Sequence, residues 1–236
     1  IQRKSSITGS ISSIKAEKLK DVTTPSVANM LQGKVAGAVV APTSGRPGEG
    51  VSIRVRGIGS IRGNVEPLWV IDGVVGASSA DLNPNDIETI SILKDGSATA
   101  LYGSRGANGV IQVTTKRATT GTSQIDLSAK FGVSQLQKGN LEMMSGAEYY
   151  DYVYTAYKNA GTLDSQGWLQ PYLRDRNFDW WDLATQNALT QNYNIGYRYG
   201  NDKIKSYVSG DYYTEEGTIK GFDYDRFTFR SNTDYI

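Results

Sequence analysis

The sequence contains neither cysteine nor histidine. Disulfides, thiolate or imidazole metal sites and Ser–His or Cys–His catalysis are therefore excluded for these residues. An enzyme without them would need a pair of carboxylates, and the acidic residues show neither that spacing nor the spacing of an EF-hand loop. We expect a protein that is not an enzyme and that has no cofactor and no metal site.

An excess of one charge is also missing, because 25 Lys and Arg residues oppose 24 Asp and Glu residues. This balance gives no basic field and does not predict nucleic-acid binding. Long apolar runs are missing too. The longest, residues 35–41, is interrupted by Gly37 and is far shorter than the ~20 residues of a membrane-spanning helix. Spanning strands need only about 9–11 residues each, so they are not excluded.

Glycine and tyrosine are abundant, with 26 and 15 residues against 5 Phe and 3 Met. This composition indicates a β-rich chain with many tight turns. In residues 1–117 the patterns predict a helix capped by Thr24, a buried strand over residues 35–41 and a hairpin turning at Asp72 and Gly73. We expect a small mixed α/β domain of about 100 residues there.

Residues 118–236 show longer alternating runs that predict adjacent antiparallel strands. A run of nine alternating residues fits one transmembrane β-strand, and it fits a strand of a soluble sandwich equally well. The last run continues to the end of the sequence, which indicates a fragment of something longer. The predicted strands are residues 125–133, 193–199, 204–213 and 224–235.

A long insertion separates the first two of these strands. It covers residues 134–192, and it contains a helical pattern that begins at a capping box of Ser145 and Glu148. Several aromatic residues follow this helix.

Several motifs in the first region, taken together and in order, resemble the plug domain of TonB-dependent outer-membrane transporters. They resemble in particular the SusC/RagA-like branch found in Bacteroidetes, which imports glycans or peptides. The motifs are residues 53–57, 67–73, 82–88, 93–95 and 98–111. Within them, the plug-motif residues are Gly57, Asp72, Gly73, Lys94, Asp95, Tyr102, Gly103, Gly106, Asn108 and Gly109.

The resemblance implies an α+β plug domain over residues 1–117, followed by the first antiparallel strands of a 22-stranded transmembrane β-barrel. Twenty-two strands of about 10 residues need ~220 residues before any loop. Residues 118–236 therefore hold only about four strands, with residues 134–192 as a long extracellular loop. The fold expected here is that of a fragment.

The resemblance also implies a function and partners. The expected activity is ligand-gated import of a glycan or peptide across the outer membrane of a Gram-negative bacterium, with the plug gating the barrel lumen. The expected partners are the TonB–ExbB–ExbD energising complex, reached through an N-terminal segment absent from this sequence, a SusD-like surface lipoprotein and outer-membrane lipids. A dimer of transporter–lipoprotein pairs fits the same resemblance. The alternatives are a siderophore or vitamin receptor and a soluble β-rich carbohydrate-binding or adhesion module.

Two sets of residues are candidates for functional contacts. Three arginines could pair with carboxylates on the barrel wall and lock the plug, or could simply form a solvated face: Arg54, Arg56 and Arg105. Four aromatic residues could stack on a ligand, contact the lipoprotein, belong to the interfacial girdle or pack within the loop. These are Trp168, Tyr172, Trp180 and Trp181.

Overall fold

The computed structural model describes residues 11–15, 24–55, 66–80, 82–137, 139–140 and 142–235. The chain divides into two compact units. The first unit comprises Ile1–Val133, Leu189–Gly217 and Phe222–Ile236, and the second comprises Ser134–Ala188 and Thr218–Gly221. Each unit is described by itself below.

Within the described ranges the chain forms eleven strands and four α-helices, numbered in chain order. None of these helices is long and apolar enough to cross a bilayer. The helices are α1 (Val27–Met30), α2 (Gly96–Thr99), α3 (Gly146–Asn159) and α4 (Trp180–Ala184). The strands are β1 (Ile11–Lys15), β2 (Val39–Pro42), β3 (Val51–Arg54), β4 (Leu68–Ile71), β5 (Val74–Val75), β6 (Ile87–Leu93), β7 (Val110–Thr115), β8 (Ser123–Ser134), β9 (Ala188–Gly200), β10 (Ile204–Glu216) and β11 (Asp223–Tyr235).

The first unit contains a five-stranded mixed sheet in the order β1-β6-β7-β4-β5. Strands β4 and β7 are parallel, and the other pairs are antiparallel. The central strands β6 and β7 bury their apolar side chains, whereas Glu88 and Thr114 are exposed. Ile90 and Ile111 pack in the main core together with Val27 of α1, whereas Val70 and Val110 form a smaller core on which Tyr102 packs.

The hairpin predicted at Asp72 and Gly73 is confirmed. Both residues have positive φ, 48° and 90°, which is the backbone of a type I′ turn between β4 and β5. Asp72 is the one non-glycine residue with positive φ in the described part of the chain. Its carboxylate compensates for this conformation through contacts described below.

Two local predictions in this unit were wrong. Helix α1 begins after Ser26, whose backbone is extended, and the Thr24 hydroxyl instead accepts a hydrogen bond from the Ser26 N–H at 3.3 Å. The strand expected over residues 35–41 begins only at Val39, because Gly37 takes a φ of 76° in the turn that follows the helix.

Strands β8 to β11 form a four-stranded antiparallel sheet, called the long sheet here, in the order β8-β9-β10-β11. Strands β10 and β11 pair along their whole length, from Ile204 opposite Tyr235 to Glu216 opposite Asp223. A short turn joins β9 to β10, and its Asn201 side chain accepts the N–H of Lys203 and of Ile204. Strand β9 begins at Ala188, five residues before the run predicted from alternation.

The two faces of the long sheet differ in polarity, as strand alternation allows. One face, called the inner face, buries side chains that are mostly polar or phenolic, among them Tyr207, Ser209 and Asp211. The other, called the outer face, leaves large apolar side chains exposed. Among these are Leu127, Ile195, Tyr197, Phe227 and Phe229.

The second unit is organised around α3, and the capping box predicted from sequence is confirmed. The Ser145 side chain accepts the Glu148 N–H, and the Glu148 carboxylate accepts the Ser145 N–H at 2.8 Å. Arg174 donates two hydrogen bonds of 2.8 Å to the Asp151 carboxylate, which fixes the chain after the helix. Helix α3 has no buried residues.

Candidate functional site at the junction of the two sheets

The first polar contact between the mixed sheet and the long sheet is centred on Asp72. Its Oδ1 accepts the N–H of Thr115 at 2.9 Å, and its Oδ2 accepts the Thr115 hydroxyl at 2.6 Å. The same Oδ2 accepts Nη2 of Arg230, on β11, at 2.6 Å. The side chains of Arg230 and Asp72 are 23% and 13% exposed, so the ion pair is largely shielded from water. A charge-assisted contact of this kind is stronger than a surface pair.

The second contact is made by a short 3-10 turn, Pro84–Asp86, which Asn83 caps by accepting the Asn85 N–H at 2.9 Å. The Tyr207 hydroxyl, on β10, donates to Asp86 Oδ1 at 2.8 Å. Asp86 and Tyr207 are each 1% exposed. The sequence folds locally in this way because proline starts the turn and asparagine satisfies its first free N–H.

A small amide–carboxylate network surrounds the same turn. Asn85 Nδ2 donates to Asn192 Oδ1 at 2.9 Å and to Asp211 Oδ2 at 3.0 Å. Asn192 Nδ2 donates to the same Asp211 oxygen at 2.9 Å. Asp211 is 1% exposed, so this carboxylate depends on amide donors rather than on water.

The third contact involves the beginning of β11. Arg226 Nη1 donates to the backbone oxygen of Pro25 at 2.8 Å. The guanidinium of Arg46 lies 4.6 Å from the centroid of the Phe222 ring, a cation–π distance. The Tyr224 ring lies directly on Gly48, where any Cβ would collide with it.

This geometry is that of a largely polar docking surface. The contacts join backbone, amide, hydroxyl and charged groups, with the rings of Tyr207, Phe222 and Tyr224 beside them. Water can replace such hydrogen bonds at a small net cost, whereas separated apolar surfaces would lose their full burial energy. The hydrogen bonds of the junction hold the two sheets in register.

The structure places the predicted arginines away from this junction or outside its description. Arg54 lies at the end of β3 with an exposed side chain. Arg105 is exposed and lies against Gly76 within the mixed-sheet region. Arg56 and the motif residue Gly57 lie outside the described residues. The locking role of these arginines stays a prediction. Among the described residues, Arg230 of β11 pairs with Asp72, and Arg226 of β11 donates to the backbone oxygen of Pro25. Arg117, which follows β7, pairs with Asp234 of β11.

Two described plug-motif residues, Lys94 and Asp95, make contacts that hold the mixed sheet together. Lys94 Nζ donates to Ser12 Oγ of β1 at 2.9 Å and to the backbone oxygen of Ala36. The backbone oxygen of Asp95 accepts the Thr99 N–H at the start of α2. These contacts join the edge strand, the turn after α1 and the end of β6.

The motif glycines are explained by close approaches and by positive φ. A Cβ on Gly109 would meet the Val55 side chain, and one on Gly106 would crowd Thr99. Gly103 combines a φ of 59° with a ψ of −148°, a backbone conformation that only glycine adopts without strain. Asn108 Nδ2 donates to the backbone oxygen of Glu66 at 3.5 Å.

The four candidate aromatic residues all belong to the second unit. Trp168 is 52% exposed, and its ring meets Tyr157 edge-on at 6.4 Å. Trp180, 65% exposed, meets Phe178 at 4.8 Å, and Trp181 is partly buried. The exposed Tyr172 ring lies 5.7 Å from the Arg176 guanidinium. These rings pair within the unit and still present exposed surface.

Sequence reasoning did not identify the residues of the long sheet that form the junction. Its residues lie on inward-facing strand positions, where a polar residue interrupts neither the alternation nor the strand. Polar side chains recurring on one face of strands whose other face is apolar were the available signal. The missed residues are Asn192, Tyr207, Asp211, Arg226 and Arg230.

Comparison with known proteins fits this two-part architecture. The sequence model of the TonB-dependent Receptor Plug Domain matches residues 3–110. TonB-dependent receptor P26 of Formosa agariphila is 41% identical over an alignment covering 99% of this chain and 24% of that protein. TonB-dependent receptor SusC of Bacteroides thetaiotaomicron is 35% identical over 98% of this chain and 23% of SusC.

Solved structures share the fold as well. The RagAB peptide transporter superposes with a TM-score of 0.84 and 28% identity, covering 98% of this chain and 29% of the matched chain. The chain belongs to the SusC/RagA-like TonB-dependent receptors. It spans about a quarter of the length of the relatives it matches. A ferric enterobactin receptor from Pseudomonas aeruginosa, with a TM-score of 0.53 and 16% identity, shares the fold alone.

In this SusC/RagA-like receptor, the expected fold class is confirmed: a plug domain is followed by antiparallel strands that match the N-terminal part of barrel receptors. The mixed sheet lies within the plug domain, and the long sheet supplies the strands that follow it. The junction described above is thus the contact between the plug and the wall.

Proposed function

We propose that this chain is the N-terminal part of an outer-membrane importer whose plug gates the lumen and is moved by the TonB–ExbB–ExbD complex. The observation that carries the proposal is the plug–wall junction. It consists mainly of hydrogen bonds, a shielded ion pair between Asp72 and Arg230 and an exposed ion pair between Arg117 and Asp234. A pulling force or a bound ligand could therefore open it largely by exchanging polar contacts for contacts with water.

The outer face of the long sheet supports a place in the membrane. Ile195, Phe227 and Phe229 are between 55% and 74% exposed, on strands of 13 residues. Strands of that length are long enough to cross a bilayer when tilted. Among the described residues of the first unit, none covers these side chains. Outer-membrane lipids would cover them.

The second unit is proposed to be extracellular. The turn between β9 and β10 is short, and the connection between β8 and β9 is long, as in barrels with short periplasmic turns and long outer loops. Its exposed rings, among them Trp168, Tyr172 and Trp180, would contact a SusD-like surface lipoprotein or the ligand. We extend the proposal to a dimer of these transporter–lipoprotein pairs.

The transported ligand is proposed to be a glycan or a peptide. The RagAB structure, 28% identical to this chain, is named as that of a peptide transporter, which supports a peptide ligand. SusC, 35% identical, supports the SusC/RagA-like branch, whose resemblance implies a glycan or a peptide. Relatives named as receptors and transporters also support a role without catalysis. The siderophore-receptor alternative is supported only by a fold-level likeness, and family membership argues against the soluble module.

A reversible covalent lock tests the gating proposal. Cysteines replace Thr115 and Asn232, whose side chains meet at 3.2 Å across the junction, in a full-length receptor without other cysteines. Oxidation should stop energised ligand uptake, and reduction should restore it. A matched pair of cysteines within the plug, at Ser13 and Ser91, which lie directly opposite each other on β1 and β6, controls for the chemistry.

Uptake that continues unchanged in the locked receptor would contradict a gate at this junction. Uptake that is equal with and without the proton-motive force would contradict an energised importer.

A further inference from the structure

A small cavity lies within the first unit, where the 3-10 turn Pro84–Asp86 of the plug meets the long sheet. Its volume is about 10 Å³, which is room for one occupant of about the size of a water molecule. Each of the four strands β8 to β11 contributes one side chain to it. The lining residues are Thr24, Asn83, Pro84 and Asn85 of the plug and Lys130, Asn192, Tyr213 and Arg226 of the wall.

Two buried donors of this lining have no hydrogen-bond partner among the described residues. They are Nδ2 of Asn83 and Nε of Arg226. Asn83 is 2% exposed, so water outside the protein does not reach it. Buried polar groups are nearly always paired, and two orphaned donors around one small cavity therefore indicate an occupant that accepts hydrogen bonds.

The guanidinium of Arg226 also lacks a direct counter-charge. Its Nη1 donates to the backbone oxygens of Pro25 and Ala80, at 2.8 Å and 3.5 Å. Within the part of the chain that the structure describes, Arg226 forms no ion pair. Lys130 lines the cavity as well, whereas no carboxylate does. Because charged groups that leave water are normally paired, the lining favours an anion.

Two carboxylates contact lining residues without lining the cavity themselves. Asp211 accepts the side-chain N–H groups of Asn85 and Asn192. Glu215 accepts the hydroxyl hydrogen of Tyr213 at 2.8 Å. Oδ1 of Asp211 has no partner among the described residues, but it belongs to no lining residue. The donors of three lining residues are thus already used, and the two orphaned donors remain for the occupant.

We propose that this cavity binds one chloride ion, which joins the plug turn to the wall. A monatomic anion accepts hydrogen bonds and donates none, as two orphaned donors require. The cavity is too small for a carboxylate, phosphate or sulfate group. The inference goes beyond the proposed import function, because it concerns how the plug is held and not what passes it.

The ion would connect one arginine of the wall to two parts of the plug. Arg226 already holds the backbone oxygen of Pro25, just before α1. Through chloride it would also hold Asn83, which caps the turn that carries Asp86. An ion that binds only the closed junction stabilises it according to the concentration of the ion. Retention of the plug against the wall therefore depends on chloride.

The test is hydrogen exchange of residues 82–93 in the full-length receptor in detergent, with chloride replaced stepwise by gluconate at constant ionic strength. Gluconate is too large for the cavity. Protection should rise saturably with chloride occupancy of the closed state, by about tenfold at a concentration about ten times Kd. Bromide should replace chloride, and crystals soaked in bromide should show an anomalous peak between Asn83 and Arg226.

Asn83→Asp is the informative variant. It keeps the oxygen that caps the turn, and it turns an orphaned donor into a carboxylate that lines the same cavity as Arg226. The dependence of protection on chloride should be lost. Asn187→Asp makes the same change of charge at an exposed position of the second unit, and as the matched control it should keep that dependence.

Equal protection in chloride and in gluconate would overturn the proposal and leave water as the occupant. A bromide peak without any effect on exchange would overturn it too, as an adventitious ion only. If Asn83→Asp does not fold, the chloride titration and the bromide peak of the unchanged receptor still decide the question. Energised uptake is measured separately, so a receptor that imports while its plug ignores chloride refutes this site and leaves the import function standing.

Discussion

The two faces of the long sheet reverse the usual order of a soluble protein. On the inner face, Asp211 and Tyr207 are each 1% exposed and hydrogen-bonded to the plug. On the outer face, Phe227 and Phe229 are 74% and 66% exposed on the same sheet. Alternation is equally regular on both faces, so it reports strand geometry and not which side is buried.

The difference indicates which environment each face contacts. Polar groups are buried on the inner face because the plug supplies a partner for them, as the amide donors around Asp211 illustrate. Large apolar groups are exposed on the outer face, which is stable only if lipid or another apolar phase covers them. Each of the next three predictions changes one face and leaves the other intact.

The largest effect is expected from a charge on the outer face. Phe229 lies at the middle of β11, opposite Gly210. Phe229→Arg should destabilise the inserted receptor by about 2–4 kcal/mol, because the charge would lie near the bilayer midplane. The measurement is the amount of folded, heat-modifiable receptor in outer-membrane fractions, with Phe229→Leu as the control. Equal amounts of the two variants would mean that this face does not meet lipid.

The next effect is expected on the inner face, where a buried acceptor is removed. Asp211→Leu leaves the side-chain N–H groups of Asn85 and Asn192 without the oxygen that both contact. We expect a destabilisation of the plug contact by about 2 kcal/mol, since unsatisfied buried donors cost about 1–3 kcal/mol each. Hydrogen exchange of residues 82–93 in the full receptor measures it, and Asp211→Asn keeps one acceptor as the control. Unchanged exchange in Asp211→Leu would contradict this account.

A smaller effect is expected for the shielded ion pair. Asp72→Asn keeps an oxygen for Thr115 but removes the charge that faces Arg230, and Arg230→Gln removes the other partner. A double-mutant cycle should give a coupling of about 1–2 kcal/mol, measured by the denaturant dependence of plug protection from protease. Strictly additive effects would show that the two residues act separately, and the polar inner face would then be held by its amides alone.

Much of this fold follows from the sequence because its patterns are local. The turn at Asp72 and Gly73 and the capping box at Ser145 depend on a few adjacent residues, and both were predicted correctly. The start of β9 was placed too late, because residues 190–192 already pair with β10 although residues 188–192 show no clear alternation of polar and apolar side chains. The strand expected over residues 35–41 was wrong because a turn at Gly37 interrupts an apolar run.

The junction was only half predictable, for a physical reason. Asp72 belongs to a recognisable motif, but its partner Arg230 lies 158 positions away, and nothing local marks the pair. Long-range contacts of this kind depend on which strands meet which turn, and a single sequence does not encode that choice in any short window. Arg54 and Arg56 attracted the prediction because they alternate on one strand, a pattern that a solvated face also produces.

The smallest effect is expected where polar contacts face water in the second unit. Hydrogen bonds from Arg174 lower the pKa of Asp151, and hydrogen bonds from the N–H and hydroxyl of Ser145 lower the pKa of Glu148. Because both pKa values are lower in the folded protein than in the unfolded chain, the stabilisation is present at neutral pH. It disappears as the pH falls through the folded values. Hydrogen exchange of α3, corrected for the intrinsic rate, should therefore accelerate by a few-fold at most on acidification, since these groups are exposed.

Asp151→Asn should remove the part of this response that depends on Arg174, and Asp164→Asn, also in the second unit, serves as its control. A loss of protection as large as that of Asp211→Leu would mean that the second unit is covered by a partner, because an ion pair shielded from water is worth far more than one that water surrounds. The same measurement therefore compares an exposed polar contact with a buried one in a single receptor. It tests whether environment, more than the chemistry of the pair, decides the strength of each contact.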